Sequence, residues 1–196
     1  MEIRNYTQND EIGWLRCRVL SFLDTAYFDH VLKEKEKYKN PSIELVAVNE
    51  GQIVGLIDIE YEMNEGTVCS RGTGLGGMIW HIAVHPEFRR RGIAKQLLER
   101  AEKLAKEKKL NRLEAWTRDD DWVNMWYEKN NFKKSDSYLH VYLDSGDELN
   151  EQIRIVLPNL VPVHAFAHYV GQDKEYIKGK FKRVHECSCY EKILCK

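Results

Sequence analysis

The chain has 196 residues, within the roughly 100–200 that one domain takes, and combines 43% hydrophobic and 31% charged residues with only 12 Gly and 4 Pro. Disordered, collagen-like and low-complexity chains are excluded. Thirty Lys and Arg against 31 Asp and Glu leave a formal charge of −1, so no global field draws the chain to nucleic acid or an anionic membrane. Neither is expected as a partner, and an anion site has to be local.

No stretch approaches the roughly 18 uncharged residues of a membrane span, and Met1-Glu2-Ile3-Arg4 does not begin a signal peptide, so a cytoplasmic location is expected. Cys17, Cys69, Cys187, Cys189 and Cys195 are odd in number and form no CxxC pair, which reads as reduced thiols. Cys187, Cys189 and His185 share one strand face, but zinc needs further ligands at suitable spacing. No metal is expected.

In chain order, residues 2–7 alternate as a first strand. Residues 11–38 carry helical spacing, starting with Ile12, Leu15, Val19 and Leu20, and predict two helices broken near Asp24 and Thr25. The run Lys33-Glu34-Lys35-Glu36-Lys37 is then a solvated helix face. Residues 43–48 and 53–61 are β runs around Asn49-Glu50-Gly51-Gln52, hence an antiparallel hairpin. A polar, Gly-rich connector at 62–77 leads to the apolar run 78–84, which is broken only by His81 and predicts a strand buried on both faces.

Residues 91–109 carry an apolar stripe of Ile93, Ala94, Leu97, Leu98, Ala101, Leu104 and Ala105 and predict an amphipathic helix. A strand at 113–117, an aromatic-rich helix at 121–130 and a strand at 138–143 follow. Residues 144–151 read as a loop, and strands near 163–170 and 183–194 complete the same sheet. The expected fold class is α/β (α+β): a mixed, mostly antiparallel twisted sheet with helices on both faces.

Chemistry concentrates in Trp80-His81-Ile82-Ala83-Val84-His85-Pro86-Glu87-Phe88-Arg89-Arg90-Arg91-Gly92-Ile93-Ala94, which is a strand, a Pro-marked turn, a basic loop and a helix start. A helix N-terminus leaves about four N–H groups without intrahelical partners and carries partial positive charge, so a loop entering it can wrap a phosphate. Gly92 and Ala94 let the anion come close, and the three arginines add field. The same spacing recurs at Arg71-x-x-Gly74-x-Gly76, but no helix follows it. That stretch reads as a mobile hairpin loop that closes over a substrate.

Arg89-x-x-Gly92-x-Ala94, preceded by Ala83-Val84-x-Pro86, resembles the acyl-CoA pyrophosphate loop of the GNAT acetyltransferases, and the element order from Ile3 to Leu143 is similar to theirs. The resemblance implies acetyl-CoA as cofactor, held by Ile82, Ala83 and Val84 on the strand and by Arg89, Arg90, Arg91, Gly92, Ile93 and Ala94 in the loop. The stretch from Trp126 to Phe132 resembles the family's Tyr-x-x-x-Gly-Phe signature, with Asn131 in place of Gly. This makes Tyr127 the acid that protonates the departing thiolate, although Tyr127 also reads as an aromatic core residue beside Trp122 and Trp126.

Glu114 is the first candidate for the general base, because some relatives carry a base Glu near this point; His81 is the second. Asp119, Asp120 and Asp121 read as caps of the following helix. By the same resemblance Phe22, Tyr27, Phe28 and the 62–77 connector line the acceptor pocket. The implied acceptor is a small-molecule amine or a peptide or protein amine, with a homodimer as a further expectation. No cysteine falls at the site, which favours direct attack in a ternary complex over an acyl-enzyme. The alternative is a non-catalytic acyl-CoA-binding regulatory module. Residues 1–143 are the recognisable part of a single domain spanning 1–196, and 144–196 its extension.

Overall fold

The computed structural model describes residues 1–144, 146–153 and 155–194. Strand β1 (Glu2–Asn5) leads into helix α1 (Glu11–Phe22). The expected hairpin forms from β2 (Ser42–Asn49) and β3 (Gln52–Tyr61). Its turn residues Glu50 and Gly51 have φ of 50° and 80°, the left-handed pair that matches the twist of a tight hairpin. Next come β4 (Gly76–Val84), α2 (Ile93–Glu107), β5 (Arg112–Thr117), α3 (Asp121–Lys129) and β6 (Lys133–Leu143). Helix α4 (Gly146–Gln152), β7 (Ala165–Tyr169), α5 (Lys174–Lys180) and β8 (Arg183–Ile193) complete the order. Among the described residues no helix is long and apolar enough to cross a membrane.

The strands make one eight-stranded sheet in the order β1-β2-β3-β4-β5-β8-β6-β7. Every neighbouring pair is antiparallel except β4 and β5, which are parallel and pair only from Gly76–Arg112 to Ile79–Ala115. Beyond Ile79 the two strands separate. A bulge starts the separation: Asp58 pairs with His81 and Ile59 with Ile79, leaving Trp80 as the extra residue.

Helix α2 covers one face of the sheet, burying Leu97, Leu98, Ala101 and Ala105 against Ile57, Ile59, Leu113 and Ala115, in a core that also holds Tyr127 and Tyr190. Helix α1 covers the other face over β3 and β4 through Trp14 and Cys17 against Leu56 and Ala83. A third cluster, Leu139, Val141 and Leu143 with Leu149 and Ile177, joins α4 and α5 to the far end of the sheet.

Three expectations are corrected and a fourth is narrowed. No second helix follows α1: residues 23–41 are turns and extended chain, because Lys35 is drawn 2.6 Å from Glu44 and 2.9 Å from Asp58 into the sheet face, where ion pairing outweighs helix propensity. The β4 run is buried on both faces as expected except at Trp80, which the bulge turns outward, 48% exposed. Residues 146–152 are helical, with Leu149 packed on β6 residues. Strand β6 starts at Lys133, because 133–137 pair with β8. The final strand belongs to the middle of the sheet, between β5 and β6.

Gly55 of β3 lies beneath α2. A Cβ there would stand 2.9 Å from Ile93 Cγ2 and 3.0 Å from Leu97 Cδ1, both in the first turns of α2. Gly55→Ala is expected to cost about 1–3 kcal/mol by overpacking, read as a lowered urea midpoint with an unchanged slope.

Candidate functional site

The gap between β4 and β5 ends at the basic loop. His85 accepts the Glu87 N–H at 3.3 Å and opens the turn Pro86–Phe88. Arg90 and Gly92 are both left-handed, at φ 62° and 77°, and Gly92 caps α2. Such alternation turns successive N–H groups toward one point. The first intrahelical backbone bond of α2 runs from Gln96 N to Gly92 O at 3.0 Å. The N–H groups from Arg90 to Lys95 therefore have no backbone partner among the described residues, and they form a concave donor array at a helix N-terminus.

The three arginines differ. Arg89 pairs with Asp24 at 2.5 Å, donates to Ser21 O at 2.8 Å and lies 5.0 Å over the Trp122 ring. Arg91 donates to Glu87 O at 2.9 Å and covers Phe88. Arg90 makes no ion pair among the described residues and is exposed.

Glu114 is fully buried, and its carboxylate accepts five donors: Ser70 N at 3.1 Å, Ser70 Oγ at 2.7 Å, Arg71 N at 2.9 Å, Trp116 Nε1 at 2.9 Å and Arg112 at 3.1 Å. Burial alone would raise its pKa, but these bonds hold it below the ordinary carboxylate range. Glu62, 1% exposed, accepts N–H groups from Gly66, Val68, Cys69 and Gly76. Two buried carboxylates thus tie down the 62–77 connector, in place of the expected mobile loop. Arg71 is held outside by Asp136 at 2.5 Å.

His81 lies on the α1 face of β4, 5% exposed. Its Nε2 is hydrogen-bonded to Glu36, while Nδ1 accepts from Arg18 Nε at 3.3 Å. The fully buried Arg18 also donates to His30 O at 2.8 Å. Bonding from His81 is the main cause that lowers the Glu36 pKa, and the Glu36 side chain remains 42% exposed. Glu36 and Arg18 escaped the sequence reading because the Lys33 to Lys37 run looks like a solvated helix. A helix would not bring the consecutive Lys35 and Glu36 into adjacent buried pairs.

Tyr127 packs on the α2 face of the sheet, 4% exposed, stacked on Tyr190 at 5.3 Å and edge-on to Phe132 and Trp126. Burial raises its phenol pKa. On the opposite face, the Tyr27 hydroxyl accepts the Arg118 N–H at 3.1 Å, just past the end of β5. The Tyr27 phenol is also raised, by burial first and then by Cys187, while Tyr127 adds to the rise.

Phe22 packs on Tyr27 at 5.7 Å, and Phe28, 50% exposed, lies under Arg183. Arg118 binds Ala26 O and donates to His140 Nδ1 at 3.0 Å; nothing in the sequence marks it beyond its place at the end of a strand. Contrary to the expected capping, Asp119 and Asp120 make no side-chain cap on α3, although Asp120 occupies the N-cap position and Asp121 the first turn. Asp120 accepts the Ala26 N–H at 3.0 Å, and Asp119 binds His185 at 2.8 Å and the Glu186 N–H at 3.1 Å. Asn131 has φ 65°, the left-handed backbone after a helix.

Burial pushes the Cys187 and Cys189 thiols up to about 11 and about 12, and His185 is taken by Asp119. Among the described residues no three His, Cys, Asp or Glu side chains gather as a metal site. Cys195 lies outside the described residues.

Residues 40–134 match the family model described as an acetyltransferase (GNAT) domain. An acetyltransferase of Sodalis glossinidius is 31% identical over 144 residues, covering 71% of this chain and 92% of that protein. The chain belongs to the GNAT acetyltransferase family; it is an acyl-CoA-dependent N-acetyltransferase. Among solved structures, a ribosomal-protein-alanine N-acetyltransferase from Brucella melitensis superimposes with a TM-score of 0.61 at 17% identity, covering 98% of this chain and 99% of that one. A PaiA N-acetyltransferase from Thermoplasma acidophilum, solved with coenzyme A, does so with a TM-score of 0.53 at 17% identity, over 69% of this chain and 91% of that one. At those identities the likeness is one of fold.

Burial, then Arg118 and His168, push the His140 imidazole down to about 3. It stays neutral in the folded chain, while the unfolded chain protonates near pH 6.5. Stability is therefore fully present above about pH 6.5 and falls as pH drops toward 3. His140→Gln keeps an acceptor for Arg118 without the titration. Between pH 6 and 4.5 the wild type is expected to lose up to about 1.4 kcal/mol per pH unit more than the variant in urea titrations. Parallel slopes would refute the assignment.

Proposed function

We propose that this enzyme transfers an acetyl group from acetyl-CoA to a primary amine by direct attack, with donor and acceptor bound together. The observation that carries the reading is the row of unpartnered N–H groups from Arg90 to Lys95 at the open end of the β4–β5 gap. Arg89, Arg90, Arg91, Gly92, Ile93 and Ala94 cradle the pyrophosphate through their backbone, with Arg90 the arginine free to meet it. The pantetheine arm runs into the gap along Ile82, Ala83 and Val84, whose edge β5 has left unpaired. Backbone N–H groups beside the Trp80 bulge face the position where oxyanion charge develops on the thioester carbonyl.

An amine of pKa about 10.4 is neutral in about one molecule in 2,500 at pH 7, a shortfall worth about 4.6 kcal/mol. A proton acceptor has to meet that cost. Glu114 is assigned to holding the connector, since all its lone-pair directions are engaged by five donors. The acceptor is instead the Glu36 carboxylate: His81, on β4 one residue beyond the bulge, holds it through Nε2–H, and its exposure gives the proton an exit to water. Tyr127 then supplies a proton to the departing thiolate. Burial that raises its phenol pKa also raises that of a thiolate formed in the same dry gap, which keeps the transfer close to balanced. Phe22, Tyr27 and Phe28 border the acceptor side.

Tyr127→Phe is expected to lower kcat at neutral pH about 100-fold while the melting shift on adding CoA is retained; unchanged turnover would remove the acid role. Glu36→Gln and His81→Gln are expected to displace the acidic limb of the pH–rate profile. Glu114→Gln leaves that limb in place and lowers thermal stability. Movement of the limb by Glu114→Gln alone would restore Glu114 as the base.

A further inference from the structure

The stretch between β6 and β8 gives the sheet an unusual open face. Along β6 and β7 the side chains alternate, and the aliphatic set, Leu139, Val141, Leu143 and Ala165, is covered by α4 and α5. The opposite set lies on the face shared by Trp116 and Glu114. A sheet face at the surface ordinarily carries charged or hydroxyl side chains, whereas this one carries rings, Tyr138, His140, Tyr142, Phe166, His168 and His185, with His140 buried and Phe166 and His168 exposed at its outer end.

The rings form a continuous array. His140 and His168 stack at 4.9 Å and 9°, Tyr138 meets His168 at 4.6 Å, and Phe166 stands edge-on to both imidazoles at 5.0 and 5.2 Å. Tyr138 in turn lies 5.1 Å from Trp116 of β5, and β5 is one wall of the gap, so the array continues from the reaction site outward. Phe166 is 48% exposed and His168 is exposed as well.

The charges bordering the array are already engaged. Arg183 binds Asp29 at 2.7 Å and lies 3.7 Å over Tyr142; Arg118 holds Ala26 O and His140; Asp119 holds His185. With these three charges engaged, the surface presents π faces and edges among the described residues.

We propose that this array is the acceptor subsite, and that it selects amines whose non-reacting body is a planar aromatic ring. The proposal rests on the acetyl-transfer reading above and names its substrate class. An incoming ring extends the existing parallel and edge-to-face packing at centroid separations of about 4.5–7 Å, with its aminoalkyl arm directed past Trp116 to the gap.

The test compares 2-phenylethylamine with n-butylamine as acceptors for acetyl-CoA, in the full chain and in Phe166→Leu and His168→Leu, which keep apolar bulk and remove the rings. The expected wild-type kcat/KM ratio favours the aromatic amine by about tenfold or more, and each variant moves it toward one through KM. A wild-type ratio near one, or a ratio the variants leave intact, overturns the proposal while the transferase reading stands. If no amine releases thiol, the transferase reading falls and binding decides: NMR titration of 2-phenylethylamine into the CoA-loaded protein, saturable in the wild type and weakened in Phe166→Leu, supports the subsite. Absence of saturable binding, or a dimer in sedimentation that buries Phe166 and excludes the amine, overturns it.

Discussion

The separation of β4 from β5 is the constraint on which the rest of the site depends. Two parallel strands that pair for four residues and then part leave the β4 edge from Ile82 to Val84 without a partner strand on the β5 side, and unpaired backbone groups inside a protein are costly unless something meets them. The Trp80 bulge starts the divergence, and the N-terminus of α2 stands at its open end. Tyr127 and Tyr27 approach it from opposite faces of the sheet. Closing the gap would remove both the channel and the reason for most of the surrounding contacts.

Buried carboxylates give the site its rigidity. Glu62 and Glu114 hold a polar, glycine-rich connector against the sheet by gathering its N–H groups, and Asp58 does the same for the extended stretch carrying Lys35 and Tyr38. Charge-assisted bonds of this kind are roughly twice as strong as neutral ones. Removing one partner leaves a buried charge uncompensated, which costs more than the contact contributes. In this protein the buried acids Glu62, Glu114 and Asp58 all anchor chain segments to the sheet.

Local patterns made much of this legible in the sequence. The β2–β3 hairpin follows from alternation around Glu50-Gly51, and the α2 stripe and the loop before it follow from helical spacing and Gly92. What escaped depends on partners far along the chain. Lys35 and Glu36 look solvated until Glu44, Asp58 and His81 are placed beside them. Glu114 is marked by the family resemblance alone, and the bonds that Ser70 and Arg71 donate to it come from a distant loop. The ring array is invisible because β6, β7 and β8 contribute their members from three separated stretches, and only the register His140–His168 and His140–His185 sets them side by side.

The place of β8 bears on how the molecule is made. Residues 183–193 insert between β5 and β6, so during synthesis the outer edge of β5 stays bare after α2, β5 and β6 have emerged. Pairing across such sequence separations slows folding and exposes strand edges to wrong partners. One wall of the catalytic gap is therefore among the last parts of the sheet to form, and a nascent chain that has already made its cofactor loop has no finished site until β8 arrives.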